Sequence, residues 1–143
     1  MKIVLTQQST KWIQKHKISI DNLFHVIKTL CRREGRLPRQ LRLHIMPRAI
    51  HSFFDLYTNT LHVAVQSSAQ SPRYIKISRM SRNLLHELRH FIQYRIFMKP
   101  CTPTYTFRDA VLINSNYLND PDEIDARKYE KSKLKFCYKR LIR

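Results

Sequence analysis

The chain has 143 residues, a length that fits a single domain, and 43% of them are hydrophobic, an ordinary globular fraction that excludes wholesale disorder. Lys and Arg number 27 against 10 acids, a net charge of +17 that points to polyanionic surroundings: nucleic acid, an anionic membrane surface or an acidic partner. There is one glycine, Gly35, which excludes a glycine-rich phosphate loop or dinucleotide fingerprint, since both need several glycines where the backbone meets phosphate.

The elements follow in chain order. The opening MKIVLTQQST is apolar over too short a run for a signal peptide. Residues 18–33 predict a helix, with Ile20, Leu23, Phe24, Ile27 and Leu30 at helical spacing and Asp21 in the first turn. A basic connector over residues 32–42 holds Gly35, Pro38 and the arginines Arg32, Arg33, Arg36, Arg39 and Arg42. Leu41, Leu43 and Ile45 alternate with Arg42 and His44, a strand pattern that ends at Pro47. Residues 53–65 predict a hairpin turning at Thr58-Asn59-Thr60, and residues 67–72 form a polar loop. The strongest helix covers residues 78–98, capped by Ser78 or Ser81 and ended by Pro100, with Leu84, Leu85, Leu88, Phe91, Ile92 and Ile96 on a broad apolar face. Residues 101–119 read as irregular. A last helix starts at Asp120-Pro121, an N-cap followed by proline in the first turn, and carries Leu134, Cys137, Tyr138 and Leu141 on one side. The fold class is α+β: one domain over residues 1–143, with a small three-stranded sheet packed on the long helix between N- and C-terminal helices.

Cys31, Cys101 and Cys137 share no short spacing, and an odd, unpatterned set fits a reducing compartment. With no signal peptide and no span of membrane-crossing length, the expected location is cytoplasmic. The acids are uneven. Six of them, Asp109, Asp120, Asp122, Glu123, Asp125 and Glu130, fall in one short stretch. Such clustering in a basic protein marks either a site for something positive or a helix start, where acids suit the dipole.

The long helix contains His86-Glu87-Leu88-Arg89-His90, an H-E-x-x-H sequence. Residues four apart on a helix share a face, so two imidazoles can converge on one Zn²⁺, with Glu87 beside them as general base for a zinc-activated water. The alternative is two surface histidines beside a solvated glutamate. The apolar pairs Leu84-Leu85 and Phe91-Ile92 and the hairpin just upstream supply the setting the motif requires. A third ligand is needed, and Glu123 is the best candidate; Asp122 and Asp125 are weaker ones. Glu123 also stands at the reciprocal position of a capping box with Asp120. Asp125 or Asp120 are candidates to orient a ligating histidine.

HELRHFIQY followed by Tyr117 and PDEIDARKY resembles the small zincin-like metallopeptidases of the ImmA/IrrE type and, more broadly, the gluzincins. The resemblance covers residues 53–129. It implies a zincin-like fold and a zinc-dependent peptide hydrolase, with His86, His90 and Glu123 as ligands and Glu87 as general base. It departs at Arg127, where many gluzincins place an acid that holds a histidine. In zincins an edge strand beside the cleft pairs with extended substrate, and residues 61–66 are the expected edge here. The donor that stabilises the oxyanion is sought among Tyr117, Tyr94, Tyr105 and His62, with Tyr117 taken as the catalytic candidate.

The basic residues form patches that fit phosphate neutralisation, and Arg32, Arg33, Arg36, Arg39, Lys131, Lys135, Lys139 and Arg140 are the candidate nucleic-acid contacts. The expected partners are a protein or peptide substrate and a nucleic acid or other polyanion. Two expectations stand together: a zinc metallopeptidase working near nucleic acid, or an inactive zinc-binding zincin-fold module that binds nucleic acid or a macromolecular, for instance viral, assembly.

Overall fold

The computed structural model describes residues 1–100 and 118–143. In chain order run β1 (Lys2–Leu5), α1 (Gln7–Lys15), α2 (Ile20–Arg32), β2 (Gln40–Met46), β3 (Phe53–Asp55), β4 (Thr60–Ala64), α3 (Arg73–Phe91), a π-helical turn over Ile92–Ile96, and α4 (Pro121–Leu141). The strands form one sheet in the order β1-β2-β4-β3. β2 lies parallel to both β1 and β4, and β3 closes the far side as the antiparallel half of a hairpin.

Alternation decides which face of the sheet is buried. Leu41, Leu43 and Ile45 on β2 are inaccessible to solvent, and the register places Leu43 beside Leu61 and Ile45 beside Val63. Phe54, paired with Leu61, continues the same face on β3. Its ring meets the ring of Phe91 on α3 edge-on at 5.9 Å, so α3 lies over this side. α3 is held by its own apolar stripe: Ile77, Met80, Leu84, Leu85 and Leu88 are all fully buried. Leu23, Val26, Ile27 and Leu30 on α2 join the same core.

α4 runs antiparallel to α3, because His90 meets the first turn of α4 at Glu123 and His86 meets a later turn at Glu130. Ala126, Tyr129, Cys137 and Leu141 bury the inner side of α4. Asp120 caps α4 by accepting from the Asp122 amide at 2.8 Å, with Pro121 in the first turn. Asn22 on α2 donates to the Arg140 carbonyl and ties α2 to the end of α4.

Several sequence expectations are corrected. Among the described residues the sheet has four strands rather than three, because Lys2–Leu5 pairs with Gln40–Leu43 as β1. A strand so short has no alternation to betray it and gains its stability from the partner strand. α1 was not foreseen either. Thr6 caps it, and Ser9 on its first turn receives the Ile45 amide at 2.7 Å, extending the hydrogen bonding of β2 beyond the end of β1. α3 begins at Arg73 rather than at residue 78, since Ile77 and Met80 carry the apolar stripe a turn further upstream. Ser81 is buried inside the helix and caps nothing. β4 is not an edge strand: it lies between β2 and β3, and β3 is the outermost strand among the described residues. Cys101, Tyr105, Asp109 and Tyr117 lie outside the described residues. Among those described, no helix is long and apolar enough to cross a membrane.

The single glycine is placed where the backbone needs it. Gly35 has φ +149°, and a Cβ there would stand 2.9 Å from Cγ2 of Ile96 in the π-helical turn.

Cys31 and Cys137 are fully buried, and burial pushes both thiols up to about 12 from an ordinary 9.0, with Glu34 adding to the rise at Cys31. Below pH 9 the thiols are neutral in folded and unfolded chains alike. Between about pH 9 and 12 only the unfolded chain ionises them, so stability falls as pH rises, by up to about 1.4 kcal/mol per pH unit for each thiol. Urea unfolding of wild type and Cys31→Ala across pH 8–11 is expected to show a shallower alkaline decline in the variant.

Candidate metal centre

α3 places His86 and His90 one turn apart on the side that faces α4. Their rings approach at 5.0 Å between centroids. From α4, the Glu123 carboxylate reaches between them. Oε2 lies 2.9 Å from His86 Nε2, and Oε1 lies 2.8 Å from His90 Nε2. One donor atom from each of His86, His90 and Glu123 falls within 4.8 Å of the others, a spacing that a single metal ion spans.

The far side of each ring decides how these nitrogens are used. His86 Nδ1 lies 3.3 Å from Glu130 Oε2. A carboxylate only accepts, so Glu130 favours a proton on Nδ1, and Glu123, closer at 2.9 Å, favours one on Nε2 as well. His90 Nδ1 lies 2.9 Å from Gln93 Oε1. The Gln93 amide nitrogen donates to the Asp122 carbonyl at 3.0 Å and to Asp125 Oδ2 at 2.8 Å, which turns the amide oxygen toward His90. His90 Nδ1 therefore also carries a proton. Both Nε2 atoms face Glu123, and in neutral imidazoles protonated on Nδ1 each would present a lone pair to a carboxylate oxygen. Only a cation or added protons relieves that opposition. The donor set, two imidazole nitrogens and a carboxylate, could hold a divalent metal ion.

The charges follow the same logic. Without a metal the protons fill the gap. Burial opposes a charged His86, but the hydrogen bonds to Glu123 and Glu130 outweigh it and raise its pKa to about 10. His90 is also raised, against burial, by Glu123 and the nearby Glu87 charge. Burial would lift Glu123, yet its bonds to the two histidines hold it well below the usual carboxylate range. Glu87 is buried beside them, 5% exposed, and burial raises its pKa against the pull of His90 and His86.

The surroundings are built from the same two helices. Arg89 donates to Asp125 Oδ2 at 2.8 Å and forms an ion pair with Glu34 at 3.3 Å, with its guanidinium over the Tyr129 ring. Asp125 thus accepts from both Arg89 and Gln93, and burial notwithstanding these bonds lower its pKa. The Tyr94 hydroxyl donates to Asp122 Oδ2 at 2.9 Å, and its ring stacks parallel to His90. Gln93 and Tyr94 both lie in the π-helical turn, a local widening of the helix that recurs at functional sites.

The structure brings together His86, His90, Glu87 and Glu123. Glu123 turns to the histidines, and the Asp120 cap bonds the Asp122 amide without it. Asp122 is no ligand in this arrangement, since it holds Tyr94 and Lys99. Asp120 and Asp125 do not touch a histidine; Asp125 reaches His90 only through Gln93. His62 is excluded as an oxyanion donor. It pairs with Phe53 and His44 on the sheet face opposite Phe54, away from α3. Tyr117 and Tyr105 fall outside the described residues. Arg127, where an acid was expected, donates to the Leu118 carbonyl.

Sequence reasoning missed Glu130 and Gln93. Glu130 had a readable signal, because it stands two turns after Glu123 on the same face of α4 and takes up the task that an acid at position 127 would have had. Gln93, three residues after His90, had none, since an amide on a helix carries no mark of what it orients.

The chain matches no known protein family, no curated protein and no solved structure.

Removing one anchor should weaken the site without abolishing it. Glu130→Gln keeps the shape of the side chain, yet its amide can present a donor to the Nδ1 proton of His86. Zinc affinity measured by competition with a chromogenic chelator is expected to fall about 10- to 100-fold. Arg127→Gln, which removes a donor to the Leu118 carbonyl and no contact to either ring, is expected to leave it unchanged.

Proposed function

We propose that the chain is a zinc-dependent metallopeptidase, with His86, His90 and Glu123 as metal ligands and Glu87 as general base. The observation that supports this most is the anchoring of both imidazoles through Nδ1, by Glu130 and by Gln93, so that both Nε2 atoms converge with Glu123. A purely structural zinc would have no use for the buried carboxyl of Glu87 beside it, since structural sites close all four positions with protein ligands.

Bound zinc supplies a Lewis acid that polarises the scissile carbonyl and lowers the pKa of a water toward neutrality. The chain's own residues do the rest. Glu87 takes the proton from the attacking water and passes it to the leaving amine. Glu130 and Gln93 hold the imidazole tautomers through the cycle, and Asp125 holds Gln93. The extended substrate pairs with the outer edge of β3, a role that moves there from residues 61–66. β3 is fixed beside the site: Phe54 packs on Phe91 and stacks with Tyr94, and Arg95 binds the hairpin turn through Asn59 and the Leu56 carbonyl. Main-chain pairing of this kind selects unfolded or extended protein segments rather than a short consensus.

The test separates chemistry from binding. Zinc-loaded wild type is expected to cleave a fluorescently labelled unfolded protein, and a chelator to stop it. Glu87→Gln is expected to retain one zinc per chain and to lose at least about 100-fold in rate, the range for removal of a general base. A zinc-loaded wild type that cleaves nothing would contradict the peptidase reading and favour an inactive zinc-binding module.

A further inference from the structure

The described charges are sorted by face. Asp122, Glu123, Asp125 and Glu130 all lie on α4, and all four turn toward α3 or the π-helical turn: Asp122 holds Tyr94, Glu123 both histidines, Asp125 Arg89 and Glu130 His86. The opposite side of α4 carries Lys128, Lys131, Lys135 and Lys139, all exposed. Their spacing of three, four and four residues aligns them in one stripe. Among the described residues, none of these lysines has an ion-pair partner; the ion pairs lie around the metal centre and its rim. Arg33, at the end of α2, lies over the Phe136 ring of α4 at 5.7 Å, which joins the exposed Arg32, Arg33 and Arg36 to the flank of the stripe.

We propose that this face, Lys128, Lys131, Lys135 and Lys139 with Arg32, Arg33 and Arg36 beside them, binds the sugar-phosphate backbone of double-stranded nucleic acid. The inference does not depend on the peptidase reading. The stripe spans about 16 Å at 1.5 Å per residue, against which a duplex presents roughly ten phosphate charges. A regular, uniformly charged polymer matches a regular row of cations without requiring any particular sequence. A lipid surface fits less well, because membrane helices bury an apolar face, whereas the apolar face of α4 is already packed in the core. Its outer face exposes Ile124 and Ile142, near the two ends. An acidic protein fits less well too, since protein interfaces are built on aromatic anchors and are poor in lysine. The expected set changes at three positions, and Arg39, whose carbonyl accepts from the Lys2 amide beside β1, is not part of this face. Arg140 turns inward, with its Nε buried and its carbonyl bonded to Asn22, and Lys128 takes its place.

The face binds through counterion release, so its signature is the salt dependence rather than the affinity alone. The experiment is anisotropy of a fluorescent 20-base-pair duplex with the full zinc-loaded chain across 50–300 mM salt. The quadruple variant Lys128→Gln, Lys131→Gln, Lys135→Gln, Lys139→Gln is expected to flatten the slope of log K against log salt by about 3 to 4. A control removes the same charge elsewhere, with Lys2→Gln, Lys11→Gln, Lys15→Gln and Lys17→Gln, all exposed on β1, α1 and the turn after it. It is expected to change the slope by less than about 1. If the quadruple variant fails to match the thermal unfolding of wild type, the singles Lys131→Gln and Lys135→Gln are read instead, each with an expected loss of about 1 in slope. The proposal is overturned if wild-type binding is flat in salt, if both sets of four shift the slope equally, or if vesicles containing phosphatidylserine bind wild type more tightly than the duplex does at equal salt.

Discussion

The Glu123 carboxylate joins the two halves of the structure. It is the point at which α4 meets the paired histidines of α3, and the contacts around it keep the two helices in register. Two neutral imidazoles protonated only on their outer nitrogens would turn lone pairs toward an anion, an opposition relieved by a cation or by further protons on the inner nitrogens. Around them lie the three carboxyls of Glu87, Glu123 and Glu130. Two neutral histidines with one divalent ion leave the same net charge as two imidazolium rings with no ion. Uptake of a divalent ion would therefore exchange protons for a cation without changing the charge of the pocket. A buried cluster of this kind is expensive to desolvate, so it is weak evidence for stability and stronger evidence for a ligand.

The same segment of α3 ties the cluster to the rest of the fold. Arg89 shares α3 with both histidines but turns to Asp125 and Glu34, joining α4 to the residues just after α2. The π-helical turn directs Gln93 back to His90 and Tyr94 to Asp122. Arg95 then fixes the β3–β4 hairpin beside the same segment. β3, the histidine-bearing α3 and α4 are thus held by consecutive residues of one helical end. On α4 the charges are divided accordingly: Asp122, Glu123, Asp125 and Glu130 turn inward, and Lys128, Lys131, Lys135 and Lys139 lie exposed on the outward side.

The sequence made some of this legible and hid the rest for identifiable reasons. H-E-x-x-H and Glu123 were readable because helical spacing fixes which side chains share a face, and the cap at Asp120-Pro121 fixed the phase of α4. The hairpin and β2 were readable from alternation. The position of β4 inside the sheet was not, because its parallel pairing with β2 is long-range and leaves no local pattern. β1 and α1 escaped for a similar reason: four residues of strand and a short helix are stabilised by what they pack on. Reading Arg127 as a gap in the support of the site followed from looking only one turn past Glu123, whereas the supporting acid, Glu130, stands two turns on.

The central claim is that His86, His90 and Glu123 hold one zinc ion with no sulfur ligand. X-ray absorption at the zinc edge of the reconstituted protein tests it directly. The expected spectrum has one zinc per chain, a first shell of nitrogen and oxygen at about 2.0–2.2 Å, and the outer-shell scattering of two imidazoles that His86→Ala reduces to one. A sulfur shell at about 2.3 Å, or a protein that takes up no stoichiometric zinc, would contradict it.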